Sequence, residues 1–323
     1  MNSKVRIVVL DGYALNPGDN PWDPVAALGE ITVHDRTPEA EVVRRAGSAE
    51  VVLTNKTPLS QRSIEALDRL RFVSVLATGY DVVDVKAARA RGIPVANVPE
   101  YGTESVAQFV FALLLELASG VGEHNRAARD GRWTASGDFS VTVQPLVELA
   151  GKTMGIVGFG RIGRRVGEIA HGFGMKVVAL DPFRERPPEY QPFSWADRAE
   201  DLFQQSDVLS LNSSLNASNA RFVDRSLLSH AKPTAFLINA ARGGLVNEAD
   251  LAEALNQGHL AGAALDVVSQ EPIRNDNPLL TAKHCLLTPH IAWASLEARR
   301  RLMAATAANV RAFLSGNPQN VVN

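Results

Sequence analysis

At 323 residues, with 46% apolar and 21% charged side chains, the chain has the length for two domains and the composition of a globular protein. A net charge of −2 argues against nucleic-acid or acidic-membrane partners, and no stretch approaches the roughly 18 apolar residues a membrane span needs. The single cysteine, Cys285, excludes an intramolecular disulfide and fits a reducing compartment, so a cytoplasmic location is expected.

The first stretch alternates short apolar runs with helix-like segments. Val5 to Leu10, Ile31 to His34, Glu50 to Thr54, Phe72 to Ala77 and Pro94 to Val98 read as strands. Thr37-Pro38-Glu39 reads as an N-cap followed by proline at the first helical position, and Ser60 is placed to cap a helix from Gln61 to Leu67. Strands alternating with helices predict a parallel α/β sheet. Thr78-Gly79-Tyr80-Asp81 follows the fourth run, at the strand end where ligands of such sheets collect. It is either an anion-holding backbone or a glycine-assisted turn.

After Pro99 to Gly102 a long helix is expected from Ser105 to Leu117, apolar round most of its circumference and therefore buried. His124 to Leu149 is less periodic. It reads as an exposed loop or as an arm toward a second subunit, with the arm favoured.

A second α/β series follows, with strands expected over Lys152 to Val157, Lys176 to Leu180, Asp207 to Leu211, Thr234 to Asn239 and Gly262 to Val267. Asn247 is placed to cap a helix from Glu248 to Leu255. Cys285 to Thr288 continues the series, and a last helix, Ser295 to Leu314, is expected to return to the first domain. The expected architecture is two Rossmann-like parallel-sheet domains with a cleft between them. Residues 1–98 and 286–323 would form one domain, flavodoxin-like, and residues 99–285 the other.

Gly158-Phe159-Gly160-Arg161-Ile162-Gly163 stands between the first strand of this series and a helix that should run from Arg164 to His171. In that context Gly158 permits the tight turn, Gly160 lets the backbone approach a pyrophosphate, and Gly163 lets helix and strand pack closely. The helix N-terminus supplies free N–H groups to the anion. Asp181 closes the next strand, 18 positions after Gly163, where a carboxylate would meet the adenosine ribose. Pro182 and Phe183 offer no immediate cation for a 2′-phosphate, which favours NAD over NADP; Arg184 and Arg186 lie just beyond.

Three polar residues fall at or beyond strand ends: Arg242, Glu271 and His290. Hydride transfer to a 2-keto acid needs a cation for the carboxylate and carbonyl, an acid for the oxygen, and a carboxylate to orient that acid. Arginine, histidine and glutamate suit these tasks. Each residue also has a structural reading: a surface ion pair for Arg242, a turn at Glu271-Pro272, a packed histidine at His290. Spacing alone does not bring them together. No histidine pair has zinc-ligand spacing, so no metal is expected.

Resemblance adds to this reading. Ile238-Asn239-Ala240-Ala241-Arg242-Gly243-Gly244-Leu245-Val246, Leu265-Asp266-Val267 through Glu271-Pro272, and Thr288-Pro289-His290-Ile291-Ala292 resemble three signatures of the D-isomer-specific 2-hydroxyacid dehydrogenases. With the glycine loop and Thr78 to Asp81 they follow family order over nearly the whole chain. The resemblance implies that Arg242 binds substrate, that His290 donates the proton, and that Glu271 is its partner. It implies Thr103, Arg161 and Ile162 around the pyrophosphate and Asn212 and Ala240 at the cofactor. It places Asp266 on the nicotinamide carboxamide, and Thr78, Gly79 and Asn55 on the substrate. A homodimer built on the NAD-binding domains is also implied.

Trp293, within Ala292-Trp293-Ala294-Ser295, and Leu53-Thr54-Asn55-Lys56 look like the glycerate dehydrogenase and hydroxypyruvate reductase branch. Trp293 is read as a pocket wall for a small 2-keto acid, or else as a core aromatic. The expected activity is NAD(H)-dependent interconversion of hydroxypyruvate and D-glycerate. Alternatives are reduction of glyoxylate or another 2-keto acid, and a non-catalytic NADH-sensing binding protein. One departure stands out: Asn212-Ser213-Ser214-Leu215-Asn216 replaces the family's usual H-C-P-L-T segment.

Overall fold

The computed structural model describes residues 4–323 and divides into two compact units. One comprises the chain up to Gly102 together with Trp293–Asn323; the other is Thr103–Ala292.

In the first unit, β1 (Arg6–Val9), β2 (Glu30–Val33), β3 (Val51–Thr54), β4 (Phe72–Val75) and β5 (Val95–Ala96) form a parallel sheet in the order β2-β1-β3-β4-β5. The central strands β3 and β4 are buried along their whole length, as expected where helices cover both faces of a parallel sheet. Four short helices connect them: α1 (Asp23–Ala26), α2 (Val42–Ala46), α3 (Gln61–Ala66) and α4 (Val85–Ala90). Ser60 caps α3 by accepting from the Ser63 N–H, and Asp84 caps α4 by accepting from the Ala87 N–H. Thr37 does not cap a helix. Its hydroxyl donates instead to the Leu10 carbonyl at 2.5 Å, and Pro38 takes the cap position of a short 3₁₀ turn over Glu39–Glu41.

The helix Leu296–Leu314 belongs to this unit, as its apolar face requires. Leu302, Met303, Ala307 and Val310 are buried with the strand residues Ile7, Val9 and Phe72, and Phe313 stacks on Phe72 at 4.6 Å. Ser295 caps it, accepting from the Ala298 N–H. The nearly buried Arg299 guanidinium holds the Asp19 carboxylate through both terminal nitrogens.

The second unit opens with α5 (Thr103–Ser119), which buries Val110, Phe111 and Leu114 in the same cluster as Met154 and Ile156. It continues with α6 (Val121–Arg129) and α7 (Arg132–Ser136). His124 to Leu149 is therefore partly helical, not one loop; Gly120 and Gly131, both at positive φ, set the breaks. The chain then runs through β6 (Thr153–Val157), α8 (Arg161–Gly172), β7 (Lys176–Leu180), β8 (Phe193–Trp195), α9 (Ala199–Gln205), β9 (Val208–Leu211), α10 (Arg225–Leu228), β10 (Phe236–Asn239), α11 (Glu248–Asn256), β11 (Gly262–Leu265) and β12 (Cys285–Leu287). Seven parallel strands lie in the order β12-β11-β10-β9-β6-β7-β8.

Two details differ from expectation. β8 has no counterpart among the expected strands; its three residues pair with β7 through Val177, Val178 and Ala179. The crossing back to the first unit falls after Ala292, not at 285/286, because β12 pairs with β11 and carries His290 with it. Among the described residues no single helix is long and apolar enough to cross a membrane.

Candidate active site

The strand order of the second unit reverses at β6, with β7 on one side and β9 on the other, and the glycine loop leaves the carboxyl end of β6. Gly158 sits at φ +87°, the left-handed region, and a Cβ there would lie 2.7 Å from the Ser213 nitrogen. A Cβ on Gly163 would come within 2.1 Å of the Gly158 carbonyl oxygen. Gly160, the N-cap of α8, faces open space. Two glycines demanded by packing and a third left open at a helix N-terminus are what close approach of a pyrophosphate requires. The helix begins at Arg161, three residues earlier than its apolar pattern suggested.

Asp181 is held firmly beside this loop. One carboxylate oxygen accepts from the Phe159 N–H at 2.6 Å and the other from the Phe183 N–H at 2.7 Å, each retaining acceptor capacity. Ile162 packs half-buried against the core, and Arg161 is exposed. Thr103 is the first residue of α5. Asn212 fixes its own amide on Ser210, through the carbonyl and the hydroxyl, and its backbone N–H donates to Val157. Ala240 is half-buried just past β10.

Arg242 lies on the turn after β10. The buried Asn239 shapes that turn: its amide donates to the Arg242 carbonyl and accepts from the Ala241 N–H. The Arg242 side chain is exposed, with one terminal nitrogen on its neighbour's carbonyl. Gly243 follows because nothing larger fits. A Cβ there would stand 1.9 Å from the carbonyl carbon of Val268, so the Arg242 turn lies directly against the loop that carries Glu271.

Glu271 and His290 meet. The imidazole Nδ1 is 2.6 Å from one Glu271 carboxylate oxygen, and the other accepts from the Val268 N–H at 3.3 Å. His290 adopts φ +56°, a conformation that costs a side-chain-bearing residue about 1–3 kcal/mol and persists only where its surroundings impose it. The imposition is visible: the His290 N–H donates to the Asp266 carbonyl at 2.8 Å and to the Thr288 carbonyl at 3.0 Å. With Nδ1 on a carboxylate, Nε2 is the nitrogen left to carry a proton outward.

The Asp266 carboxylate, which resemblance places on the nicotinamide carboxamide, also has partners within its own loop. Its side chain is 1% exposed, and its carboxylate accepts from the Thr288 hydroxyl and from the Ile291 and Ala292 N–H groups. Burial pushes its pKa up, opposed by these hydrogen bonds and by His290. In this chain it is the clamp of the His290 turn.

Sequence reasoning read Asp266 only as a cofactor contact, and it missed the structural roles of Asn239 and Leu215. The Leu215 side chain lies where a Cβ on Gly244 would meet it at 2.7 Å, so the atypical 212–216 loop backs the Arg242 turn. That loop is held by Asn219, which accepts from the Asn216 N–H and donates to the Ser214 carbonyl.

In the first unit, Asn55 and Thr78–Gly79 lie at the carboxyl ends of the adjacent strands β3 and β4. Asn55 is buried and its amide donates to the Leu76 carbonyl; the Thr78 hydroxyl donates to the Val98 carbonyl. Trp293 packs partly buried on this unit's core, edge-on to Tyr101 at 6.2 Å.

A doubly wound sheet with a glycine loop at its switch point, and an arginine, glutamate and histidine at its strand ends, defines a nicotinamide-dependent oxidoreductase. Residues 111–292 match the family model of the D-isomer specific 2-hydroxyacid dehydrogenase NAD binding domain. A hydroxypyruvate reductase of Blautia hydrogenotrophica is 48% identical over 99% of this chain and 100% of its own. A glycerate dehydrogenase of Methylorubrum extorquens is 39% identical over 88% of this chain and 89% of its own. Among solved structures, an NADPH-dependent glyoxylate/hydroxypyruvate reductase of Sinorhizobium meliloti superposes with a TM-score of 0.82 at 30% identity, covering 99% of this chain and 97% of that one. The chain belongs to the D-isomer-specific 2-hydroxyacid dehydrogenase family.

Proposed function

We propose that this enzyme reduces a small 2-keto acid, hydroxypyruvate foremost, to its D-2-hydroxy acid with NADH. The observation that carries the reading is the His290–Glu271 pair at 2.6 Å, beside an exposed arginine on the adjoining turn. NADH, when bound, supplies the hydride that goes to C2 of the keto acid. Arg242 holds the substrate carboxylate and polarises the carbonyl, a planar guanidinium being suited to both. His290 delivers the proton from Nε2 to the keto oxygen, while Glu271 fixes the tautomer and stabilises the imidazolium.

Gly158, Gly160, Arg161, Ile162, Gly163 and Thr103 would hold the pyrophosphate, Asp181 the adenosine ribose, and Asn212 and Ala240 the nicotinamide half. On the first unit we assign Asn55, Thr78, Gly79 and Trp293 to the substrate; for Asn55 and Thr78 the main chain would do the binding, because their side chains are committed to neighbouring carbonyls.

Hydroxypyruvate is preferred to glyoxylate because a hydroxypyruvate reductase shares 48% identity along the whole length. NADH is preferred because the Asp181 carboxylate, assigned here to the adenosine ribose, would repel a 2′-phosphate. A homodimer in the cytoplasm completes the reading. Its contact surface would include Trp133, Phe139 and Leu146, which the second unit leaves exposed. The test is NADH oxidation with hydroxypyruvate, glyoxylate, pyruvate and phenylpyruvate in turn. Turnover fastest on hydroxypyruvate supports the assignment, and turnover confined to bulky keto acids overturns it.

A further inference from the structure

Outside the residues assigned to substrate and cofactor, one carboxylate stands at the junction of the two catalytic loops. Glu248 is the first residue of α11, entered from the Arg242 turn by way of Asn247. Its half-buried side chain is turned onto the neighbouring loop. One oxygen accepts from the Ser269 N–H at 2.6 Å; the other accepts from the Ser269 hydroxyl at 2.7 Å and from the Asn277 amide at 2.9 Å. Ser269 is two residues before Glu271 and next to Val268, whose N–H donates to Glu271. Asn277 in turn caps the 3₁₀ turn Pro278–Thr281 by accepting from the Leu279 N–H. The loop carrying Glu271 is therefore gripped at both ends by a residue of α11, which precedes it in the chain, at the place where the Gly243 backbone lies against Val268 and Ser269.

We infer that Glu248 is a positioning residue for catalysis: it fixes the Ser269–Glu271 segment, and through Glu271 it sets the orientation of the His290 imidazole. An exposed ion pair on a helix would contribute little, but among the described residues this carboxylate has no cationic partner, and it spends its acceptors on a single loop. With the grip removed, Ser269 loses both its main-chain and side-chain acceptor, and the segment that places the Glu271 carboxylate on Nδ1 loses its anchor to α11. A misplacement of about 1 Å at a reacting group is enough to cost on the order of 10² in rate. Cofactor affinity should be spared, because the glycine loop and Asp181 lie on β6 and β7, on the far side of β9 and β10.

The inference rests on the proposed 2-keto acid reduction, and the experiment separates the two. Glu248→Ala and Glu248→Gln are compared with wild type for kcat and KM on hydroxypyruvate, for NADH affinity by fluorescence, and for the imidazole signals in ¹H–¹⁵N spectra, with His290 assigned by its loss in His290→Ala. The expected result is a fall in kcat of about 10–100-fold in Glu248→Ala, with KM and NADH affinity within about twofold. The His290 Nδ1 resonance should shift, and Glu248→Gln, which keeps an acceptor for the Ser269 N–H, should recover most of the rate. Unchanged kcat and an unchanged His290 resonance in Glu248→Ala overturn the inference while leaving the proposed reaction standing. If wild type turns over no keto acid the reaction fails instead, and the His290 resonance still decides the role of Glu248. Should Glu248→Ala not fold, Ser269→Ala, which removes one of the same bonds, gives the same two readouts with a smaller expected loss.

Discussion

The carbonyl of Asp266 accepts the N–H of His290 at 2.8 Å, and the Asp266 carboxylate holds the two residues that follow His290. The proposed acid, His290, is thus fixed by backbone on one side and by Glu271 on the other. Asp266→Ala would leave three donors without their acceptor, each buried donor costing roughly 1–3 kcal/mol. The variant should lose about 3 kcal/mol or more in denaturant unfolding and most of its turnover. Wild-type stability would remove the clamp from the account.

Gly243 allows no side chain. Gly243→Ala pushes a methyl group into the Val268 carbonyl and must separate the Arg242 turn from the Glu271 loop. We expect kcat/KM to fall on the order of 10²-fold, with the nucleotide still bound. The same change at Gly160, which faces open space, should weaken NADH binding instead of keto acid turnover once NADH is saturating.

Cofactor choice follows from where the cations point. Arg184 is near enough to Asp181 to suggest a site for a 2′-phosphate, yet its guanidinium is committed to Asp197 at 2.7 Å and to the Ala196 carbonyl at 2.6 Å. Wild type should therefore favour NADH in kcat/KM. The pair of changes Asp181→Ser and Asp197→Ala should shift the ratio toward NADPH by about tenfold or more, roughly 1.4 kcal/mol. An unmoved ratio would show that neither residue sets the preference.

Asp207 ties the start of β6 to the approach to β10. Burial acts to raise its pKa, but the Lys232 ammonium at 2.8 Å and the Thr153 N–H at 2.9 Å prevail, and the folded-state value is lowered. A group with a depressed folded pKa contributes stability that is present above its unfolded value, about 3.9, and lost as pH falls through the folded one. Asp207→Asn should therefore lower Tm near neutral pH and have much less effect once the pH is below both values. Equal losses at both pH values would contradict the ionic contribution.

Much of this was legible in the chain. β7 was bounded to the residue from its apolar run, and Ser60 and Asn247 cap the helices their neighbours begin. The glycine loop could be read because each glycine answers a separate steric demand. What the sequence hid was of two kinds. β8 is three residues long and exists by pairing with β7, a tertiary effect without a local signal. Thr37 had the form of an N-cap, but the Leu10 carbonyl, distant in sequence, claimed its hydroxyl. Asp266 is a similar case within the site: its motif gives no sign of a structural role, and only packing reveals that its carboxylate holds the backbone of its own loop. The meeting of Glu271 with His290 also lay beyond spacing, because it depends on β12 pairing with β11.

The most direct test of the central claim is turnover of hydroxypyruvate with NADH by His290→Ala beside wild type, with NADH affinity measured on both. The account predicts a loss in kcat of about 10²–10⁴-fold, the range for removing a positioned general acid, with NADH affinity nearly unchanged. Undiminished turnover in His290→Ala would contradict it.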